Sequence, residues 1–449
     1  MTTIKQAKSS ITLRVPTDQA WVPVLQSAAE NAARVFGLVQ EKGLRLAMGL
    51  EEVLLYLARV LPDATVSIAL EQEPDAVSAT FSLAAESLDL SAMNLVTGDE
   101  PTKNPDVDGQ ALPLLLASRM CDGLHVFRSG SRIHLTLRQD QVYQRITAAP
   151  DEAPQPCATL RIESTTDFHR IAHACARLLG RFSTQELPPW TATPGRIVDL
   201  AMAGELQVCT AVDEAGRVRA ILFWEYMSEK SVIFSGPFVL DQCDQGLAPL
   251  LEHMLLALAR SKASCLFSNP DGTPGGLDLS SHGFEPLGTI TRTEQDGEQR
   301  IPVWFRHLRE DEGQQVWAHP GCVPFLEETY QRVFLPRTIL PVKDIERRLQ
   351  TQVRARDRSL FAAVMNRETG EMLLRPLLDG VDSAENIARH LHVLSGEGYQ
   401  RILFHIDLAE GWQAALCGDL LALGCRPGLV LPLAGRSDVL LVEYVQPAP

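Results

Sequence analysis

Apolar and polar positions along the first 145 or so residues fall into readable periods. "ITLRV" (11–15) alternates as a strand does, whereas "WVPVLQSAAENAARVFGL" and "KGLRLAMGLEEVLLYLARVL" place apolar residues every three or four positions. These two stretches predict amphipathic helices. "ATVSIALEQ", "SATFSLAAE" and "RIHLTLRQ" read as strands, with "ALPLLLASRMCDGL" a helix before the last. Two helices, strands, a helix and strands predict an α/β sandwich of the α+β kind, with helices on one face of a mixed sheet.

The pattern breaks at 147–156, "TAAPDEAPQP". Pro150, Pro154 and Pro156 each remove a backbone donor and disfavour helix, so the segment reads as a semi-extended linker closing a first domain at 1–146. A second pattern covers 157–309: strand "CATLRI", helix "DFHRIAHACARLLGRF", and a hairpin "LQVCTAVDEAGRVRAILFWEYM" with Gly216 suited to a positive φ. Strand "KSVIFSGPFVL", helix "GLAPLLEHMLLALARSKA", strand "SCLFSN" and the turn-rich "PDGTPGG" follow. The region 310–449 echoes part of this: a hairpin with Gly370 in its turn, helix "DSAENIARHLHVLSGEGYQ" with an Asp or Ser cap, strand "RILFHIDL", helix "GWQAALCGDLLALG" and two terminal strands. "SHGFEPLGTI" in the second region corresponds to "ALGCRPGLVL" in the third, the mark of an internal duplication.

Composition narrows the partners. The 449 residues are 45% hydrophobic and 22% charged, a soluble globular balance for two to four domains. Lys and Arg number 41 against 56 Asp and Glu, a formal charge of −15. No basic stripe offsets that deficit, which argues against nucleic acid and against an anionic membrane. Runs such as "VLLYL" are too short to span a bilayer, and "MTTIKQAKSSITLRV" lacks the apolar core of a secretory signal. Nine Cys stand singly, without a CxxC pair, so reduced thiols in a cytoplasm are expected and no metal centre is.

"LRLAMGLEEVLLYLARVLPDATVSIAL" resembles the nucleotide-binding helix of the GHKL (histidine kinase-like) ATPases, specifically the anti-sigma-factor serine kinase branch. There a pair of acids and a following Asn polarise water and hold magnesium on the phosphates. Glu51 and Glu52 stand in the acid positions, but Tyr56 stands for the Asn. "ALPLLLASRMCDGLHVFRSGSRIHLTLRQ" resembles the family's glycine-rich turn, helix and closing hairpin, with Asp122 matching its Asp. The family's Asp-x-Gly segment is replaced by Leu83 and Ala85, and Gln110, Ala111 and Pro113 sit near the glycines of the second turn. Pro has no N–H for a phosphate and side chains crowd the approach. All three nucleotide boxes are altered together, which implies a GHKL fold that no longer binds ATP and remains as a platform for protein binding. Glu51 and Glu52 then belong to an exposed helix face. An active anti-sigma kinase would need Tyr56, Leu83 and Pro113 to be tolerated.

"FVLDQCDQGLAPLLEHMLLALARSKASCLFSNP", followed by "SHGFEPLGTI", resembles motifs A and B of the GNAT acyltransferases. In motif A a strand ends, a short loop turns its N–H groups inward, and the pyrophosphate of coenzyme A sits at the positive end of the next helix. The resemblance implies an acetyl-CoA site at Gln245, Gly246, Leu247 and Ala248, although Cys243 replaces the leading Arg or Gln and Asp241 and Asp244 oppose an anion. The chemistry needs a base for the amine, for which Glu225 on "ILFWEYM" is the best carboxylate, with His282 a second candidate acid. Tyr226 adjoins Glu225 but points to the opposite face of the strand.

Three other constellations are weaker. His169, His173 and Cys175 share one helix with the His pair at i, i+4, but no third zinc ligand at characteristic spacing follows. His405 and Asp407 share a strand face without an identifiable nucleophile. Trp317, His319 and Pro320, ahead of "CVPFLEETYQRVF", resemble a segment of fused anti-sigma and GNAT proteins. No phosphate loop precedes "DSAENIARHL", so the last third reads as a structural GNAT-like half.

Together these residues lead us to expect a cytoplasmic bacterial regulatory protein that binds an unidentified protein partner, with a weak or vestigial acyl-CoA site. The alternative is an active GNAT N-acetyltransferase acylating an amine on a protein or small molecule. The sequence specifies neither partner, acyl acceptor nor oligomeric state.

Overall fold

A computed structural model describes residues 9–84, 94, 105–129, 132–149, 159–240, 247–274, 277–294, 297–342, 358–366, 371–399 and 401–445. The chain is mixed α/β and divides into two compact units. The first takes Met1–Val142, Arg354–Met365 and Met372–Tyr399; the second takes Tyr143–Val353, Asn366–Glu371 and Gln400–Pro449.

The first unit opens with β1 (Ser10–Pro16), α1 (Val22–Val35), α2 (Gln40–Val60), β2 (Thr65–Gln72), β3 (Ala76–Ala84), α3 (Pro105–Met120), β4 (Gly123–Ser129) and β5 (Arg132–Asp140). The strands form one antiparallel sheet in the order β1-β2-β3-β5-β4. Alternation does the sorting: Val66, Ile68, Leu70, Phe81, Leu135 and Leu137 are buried, while Ser67, Thr80, Ser82, His134 and Thr136 keep solvent contact on the other face. The buried face shares a core with Leu46, Leu50, Val53 and Leu57 of α2, which recur at three- and four-residue steps. Gly49 makes the packing of α2 possible, since a Cβ there would lie 2.8 Å from Cys121 Sγ.

The second unit begins with β6 (Arg161–Ser164), α4 (Phe168–Arg181), α5 (Pro194–Ala203), β7 (Leu206–Val212), β8 (Val218–Tyr226), β9 (Ser231–Val239), α6 (Leu247–Leu258), β10 (Cys265–Ser268), β11 (Glu285–Glu294) and β12 (Gly297–His307). Asp167 caps α4, its side chain accepting from the Arg170 N–H at 2.9 Å. The β7–β8 turn carries Gly216 at φ 78°, as its sequence requires. The seven strands run in the order β11-β12-β10-β9-β8-β7-β6, antiparallel except for the pair β9–β10, which α6 connects. Cores lie on both faces: Leu222, Trp224, Val232 and Phe234 with α6 on one, Ile221 and Phe223 with α4 and α5 on the other. Two parallel strands, β13 (Gln314–Ala318) and β14 (Arg337–Pro341), flank α7 (Val323–Arg332).

The chain then supplies β15 (Leu360–Asn366), β16 (Glu371–Leu378) and α8 (Ser383–Gly396), whose Leu360 and Leu378 join the core of the first unit. Asp382 precedes α8 without capping it; its carboxylate accepts the Ser359 N–H at 2.6 Å instead. Gly370 lies outside the described residues, as does most of the proline-rich linker. β17 (Arg401–Asp407), α9 (Gly411–Ala422), β18 (Arg426–Leu431) and β19 (Val439–Val445) complete the second unit. Strand order β17-β19-β18 repeats β10-β12-β11, and the register shifts at the same place in each outer strand, Pro286/Gly288 and Pro427/Leu429. The duplicated "EPLG" and "RPGL" segments are therefore two β-bulges.

Candidate functional site

The strand pair β9–β10 is where parallel neighbours part, and partings of this kind are where open α/β sheets take ligands. β10 pairs with β9 only over Ser231–Phe234. Beyond Phe234, β9 carries one extra residue against β8, because Ile221 faces Phe238 while Phe223 faces Ser235. The bulge reverses the side-chain alternation. Val232 and Phe234 point toward α6, whereas Phe238 and Leu240 join the α4 side. Gly236 sits in the bulge at φ +91°, where a Cβ would meet the Phe238 nitrogen at 2.8 Å. The Gly236–Pro237 peptide is cis.

The chain itself occupies the edge of β9 beyond Phe234. Asn269 N–H donates to the Phe234 carbonyl at 2.7 Å, and the chain then turns so that Gly236 N–H donates to the Gly272 carbonyl, also at 2.7 Å. Asn269 Nδ2 donates to Ser235 Oγ at 3.1 Å, and the Thr273 hydroxyl donates back to the Asn269 carbonyl at 2.7 Å. Ser235 and Thr273 are buried. An extended, amide-bearing ligand pairs with a strand through free backbone groups. Gly236 has already given its donor to Gly272, and Pro237 has none, so these two residues offer no N–H along that edge.

Of the sequence-derived cofactor residues, Gln245 and Gly246 lie outside the described residues. Leu247 and Ala248 are the first two residues of α6, half-buried. Pro249 follows them, so the first turn of this helix has one N–H fewer to offer an anion. Just past the end of β9, the Leu240 carbonyl accepts from Arg177 at 3.1 Å and Arg181 at 2.9 Å.

The structure does not bring the two proposed catalytic groups together. Glu225 lies one residue from the end of β8, exposed, on the face that carries Phe223 and α5. Desolvation by the surrounding protein raises its pKa, Arg196 opposes the rise and Glu205 adds to it. His282 ends a short 3-10 turn before β11, half-buried, with its carbonyl accepting from Arg306. Register links Glu225 to Ile233, Phe267, Phe305 and Glu285 in one row across the sheet. Glu285, three residues after His282, is thus four strand spacings from Glu225, about 19 Å.

In the first unit the residues at the nucleotide positions have structural duties. Tyr56 and Leu83 are buried in the core. Glu51 accepts from Gln26 Nε2 at 2.6 Å, and burial raises the pKa of Glu52 with Glu51 beside it, so both are half-buried rather than on a fully exposed face. Asp122 accepts from Lys42 Nζ at 2.5 Å, Gln139 Nε2 at 2.9 Å and the Asp140 N–H at 2.9 Å, fastening α2 to the β4–β5 hairpin. Pro113 lies inside α3.

His169 and His173 are exposed on α4 while Cys175 faces the core, and no group of three or more His, Cys, Asp or Glu converges among the described residues. Asp407 holds a turn, accepting from the Ala409 and Arg436 N–H groups. Trp317 and His319 lie against α9, at Gly411 and Gly418 respectively. Sequence reading missed the Gly236–Gly272 contact. Its available signal was the Gly-Pro pair inside "FSGPF", since Gly and Pro within a strand mark a bulge.

No protein-family model matches the chain, and no curated protein matches it. About a third of the chain is similar in structure to GNAT acetyltransferases. The N-acetyltransferase YhbS of Escherichia coli, solved in complex with CoA, is 19% identical over 35% of this chain and 86% of its own, with a TM-score of 0.25. YncA of Salmonella typhimurium, solved with its cofactor acetyl-CoA, is 13% identical over 34% of this chain and 96% of its own, with a TM-score of 0.27. An N-acetyltransferase of Staphylococcus aureus Mu50 is 14% identical over 34% and 99%, with a TM-score of 0.25.

Proposed function

We propose that this chain is a cytoplasmic regulatory protein that acts by binding another protein. In this reading the first unit is an anti-sigma-type GHKL fold without its nucleotide contacts, and the second carries a GNAT-like region with a weak or vestigial acyl-CoA site. The observation that carries the reading is the 2.7 Å bond from Gly236 N–H to the Gly272 carbonyl, which gives the open edge of β9 to the chain's own loop. Tyr56 and Leu83 in the core of the first unit support the same conclusion for ATP. The net charge of −15 keeps nucleic acid out of the account. Among the described residues no helix is long and apolar enough to cross a membrane.

Thermal unfolding of the full chain tests both halves of the reading. A ligand that binds only the native state raises the melting temperature with concentration. Neither magnesium-ATP nor acetyl-CoA should move it. A rise of several degrees with magnesium-ATP would overturn the reading of the first unit; the same rise with acetyl-CoA would overturn that of the second. One observation favours the alternative, an active N-acetyltransferase: Glu225 is a carboxylate with a raised pKa at the end of β8, as a base for an amine would be. Acetyl transfer to a test amine that is lost in Glu225→Gln would establish it.

A further inference from the structure

β1 heads its sheet and pairs only with β2, in an unbroken register from Ser10 to Pro16. Gln72 N–H donates to the Ser9 carbonyl at 2.9 Å, and Thr17 N–H donates to the Ala64 carbonyl at 2.8 Å. Alternate residues of an antiparallel ladder turn their backbone groups to the same side, so Ser9, Ile11, Leu13, Val15 and Thr17 face β2. Ser10, Thr12, Arg14 and Pro16 therefore present theirs outward, and no other strand among the described residues takes them up. Natural edges are commonly blunted by bulges, charges or proline. β1 has no bulge, its one charged residue is Arg14, and its one proline stands at the last position.

α1 returns along this edge. It follows β1 after a short turn, and its far end lies beside the start of the strand, where Gln72 Nε2 donates to the Phe36 carbonyl at 3.4 Å. One flank of α1 meets α2: Gln26 Nε2 donates to Glu51 at 2.6 Å, and a Cβ on Gly43 would lie 3.2 Å from Ala33 Cβ. At about 3.6 residues per turn, Val24, Ala28, Asn31 and Val35 lie on the opposite flank. Val24 is 50% exposed and Val35 74%, and Ile11, on the face of β1 that carries the helices, is 41% exposed. Asn31 turns its amide back onto its own helix, donating to the Ser27 carbonyl at 2.7 Å and accepting from Arg34 at 2.7 Å. The charged residues of α1, Glu30 and Arg34, lie outside this strip, and Arg14 points to the other face of the sheet. β1 and α1 are each about 20 Å long, so an uncharged strip runs beside the whole free edge.

We propose that the free edge of β1 and the outer flank of α1 form an interface between two copies of this chain, with β1 paired antiparallel to β1 of the second copy. A two-fold axis normal to the sheet sets outward-facing residues against outward-facing residues. Ser10, Thr12 and Arg14 of each copy then exchange backbone bonds with the other, while Ile11, Leu13 and Val15 of both stay on the helix-bearing face. The two α1 helices lie side by side over the joined strands, with Ala28 near the axis and Val24 of each copy toward Val35 of the other. A chain of net charge −15 repels its own copy over most of its surface, and an uncharged strip is where that repulsion is least. Strand addition alone would serve any extended peptide. A neutral apolar helix flank along the full length of the strand is what a second copy adds a use for.

Sedimentation equilibrium of the native full-length protein over a wide range of concentration tests this. We expect the mean mass to rise from that of one chain to twice that value and to stop there, as a closed two-fold interface requires. Thr12→Pro removes an outward N–H without touching the ladder to β2, and Val24→Glu puts a charge into the apolar strip. Each should hold the protein at the mass of one chain at every concentration. Leu44→Glu, at an equally exposed position on α2, should leave the doubled mass intact. Hydrogen exchange in the peptide spanning Ser10–Pro16 should slow with concentration in the parent and not in the first two variants. Melting temperatures establish that the variants are folded; if Thr12→Pro is not, Val24→Glu decides alone. A parent that keeps the mass of one chain throughout overturns the proposal. So does a dimer that Val24→Glu leaves intact, or one that Leu44→Glu dissociates.

Discussion

Gly236 donates its backbone N–H to the carbonyl of Gly272 at 2.7 Å, at the point where the parallel strands β9 and β10 separate. A sheet that parts there exposes backbone groups for a ligand; here the Phe234 carbonyl and the Gly236 N–H are taken by the chain's own Asn269–Gly272 turn. The first unit holds a comparable cluster of internal hydrogen bonds around Ser359, ahead of α8. Asp382 accepts the Ser359 N–H at 2.6 Å, Asn94 Nδ2 donates to the Ser359 carbonyl at 2.8 Å, and Asn386 Nδ2 donates to Ser359 Oγ at 2.8 Å. In both places the chain's own groups take up backbone N–H and carbonyl groups that a strand or helix neighbour does not.

Gly272 is required by space. A Cβ there would lie 2.5 Å from Ser235 Oγ and 3.0 Å from Ser235 Cβ. Gly272→Val should therefore destabilise the protein by about 1–3 kcal/mol, as overpacking does. Gly396→Ala, at the end of α8 with nothing within 4 Å, should instead stabilise it by about 0.5–1 kcal/mol. Urea unfolding of the two variants beside the parent checks both signs.

Arg337 and Asp438 form an ion pair of 2.7 Å in which neither side chain is exposed, and Asp311 adds a second carboxylate at 2.9 Å. The two carboxylates raise the Arg337 pKa despite its burial, and Arg337 lowers that of Asp311. Arg337→Met leaves two buried carboxylates without their cation. The expected loss is about 3–5 kcal/mol, read from denaturant midpoints, with Asp438→Asn alone also destabilising.

Local periodicity made much of the fold legible. The amphipathic stretches of α2, α4 and α6, the Gly216 turn and the twin bulged segments at Pro286 and Pro427 are all written within short windows of sequence. Position-by-position patterns do not report contacts between distant segments. Nothing near Leu360 or Leu378 announces that they complete a core built from Leu50 and Phe81. The same limit applied to the site. Glu225 and His282 each look like catalytic groups in isolation, and only the strand register separates them. The short helix α5 (Pro194–Ala203) escaped because a proline and a glycine, Pro194 and Gly195, open it, although Pro at the first helical position favours initiation.

His390 gives the first unit a pH dependence. The side chain is fully buried on α8, with Nδ1–H donated to the Asn386 carbonyl at 2.8 Å, and burial holds its pKa down at about 4. Arg389 lowers it further, while the bond to Asn386 opposes. The unfolded chain takes up this proton near the ordinary value of 6.5, so stability present above that value is lost as pH falls toward 4. The contribution reaches about 2 kcal/mol by about pH 5 and about 3 kcal/mol below the folded value. The difference in unfolding free energy between His390→Phe and the parent should grow in favour of the variant by these amounts on acidification. A difference independent of pH would refute the assignment.

Phe334 is 77% exposed and holds φ at 53°, the left-handed conformation that usually belongs to glycine. It closes α7, with the next N–H, of Leu335, donated back to the Tyr330 carbonyl at 2.9 Å. Since the ring buries little, Phe334→Gly should raise stability by about 1 kcal/mol, visible as a higher melting temperature.

The most direct test is a calorimetric titration of the full-length protein with acetyl-CoA. The account predicts no heat of binding up to high micromolar ligand, since the β9 edge at Gly236 is already paired with Gly272. Micromolar binding that Gly246→Pro abolishes would contradict it and place a working acyl-CoA site in this chain.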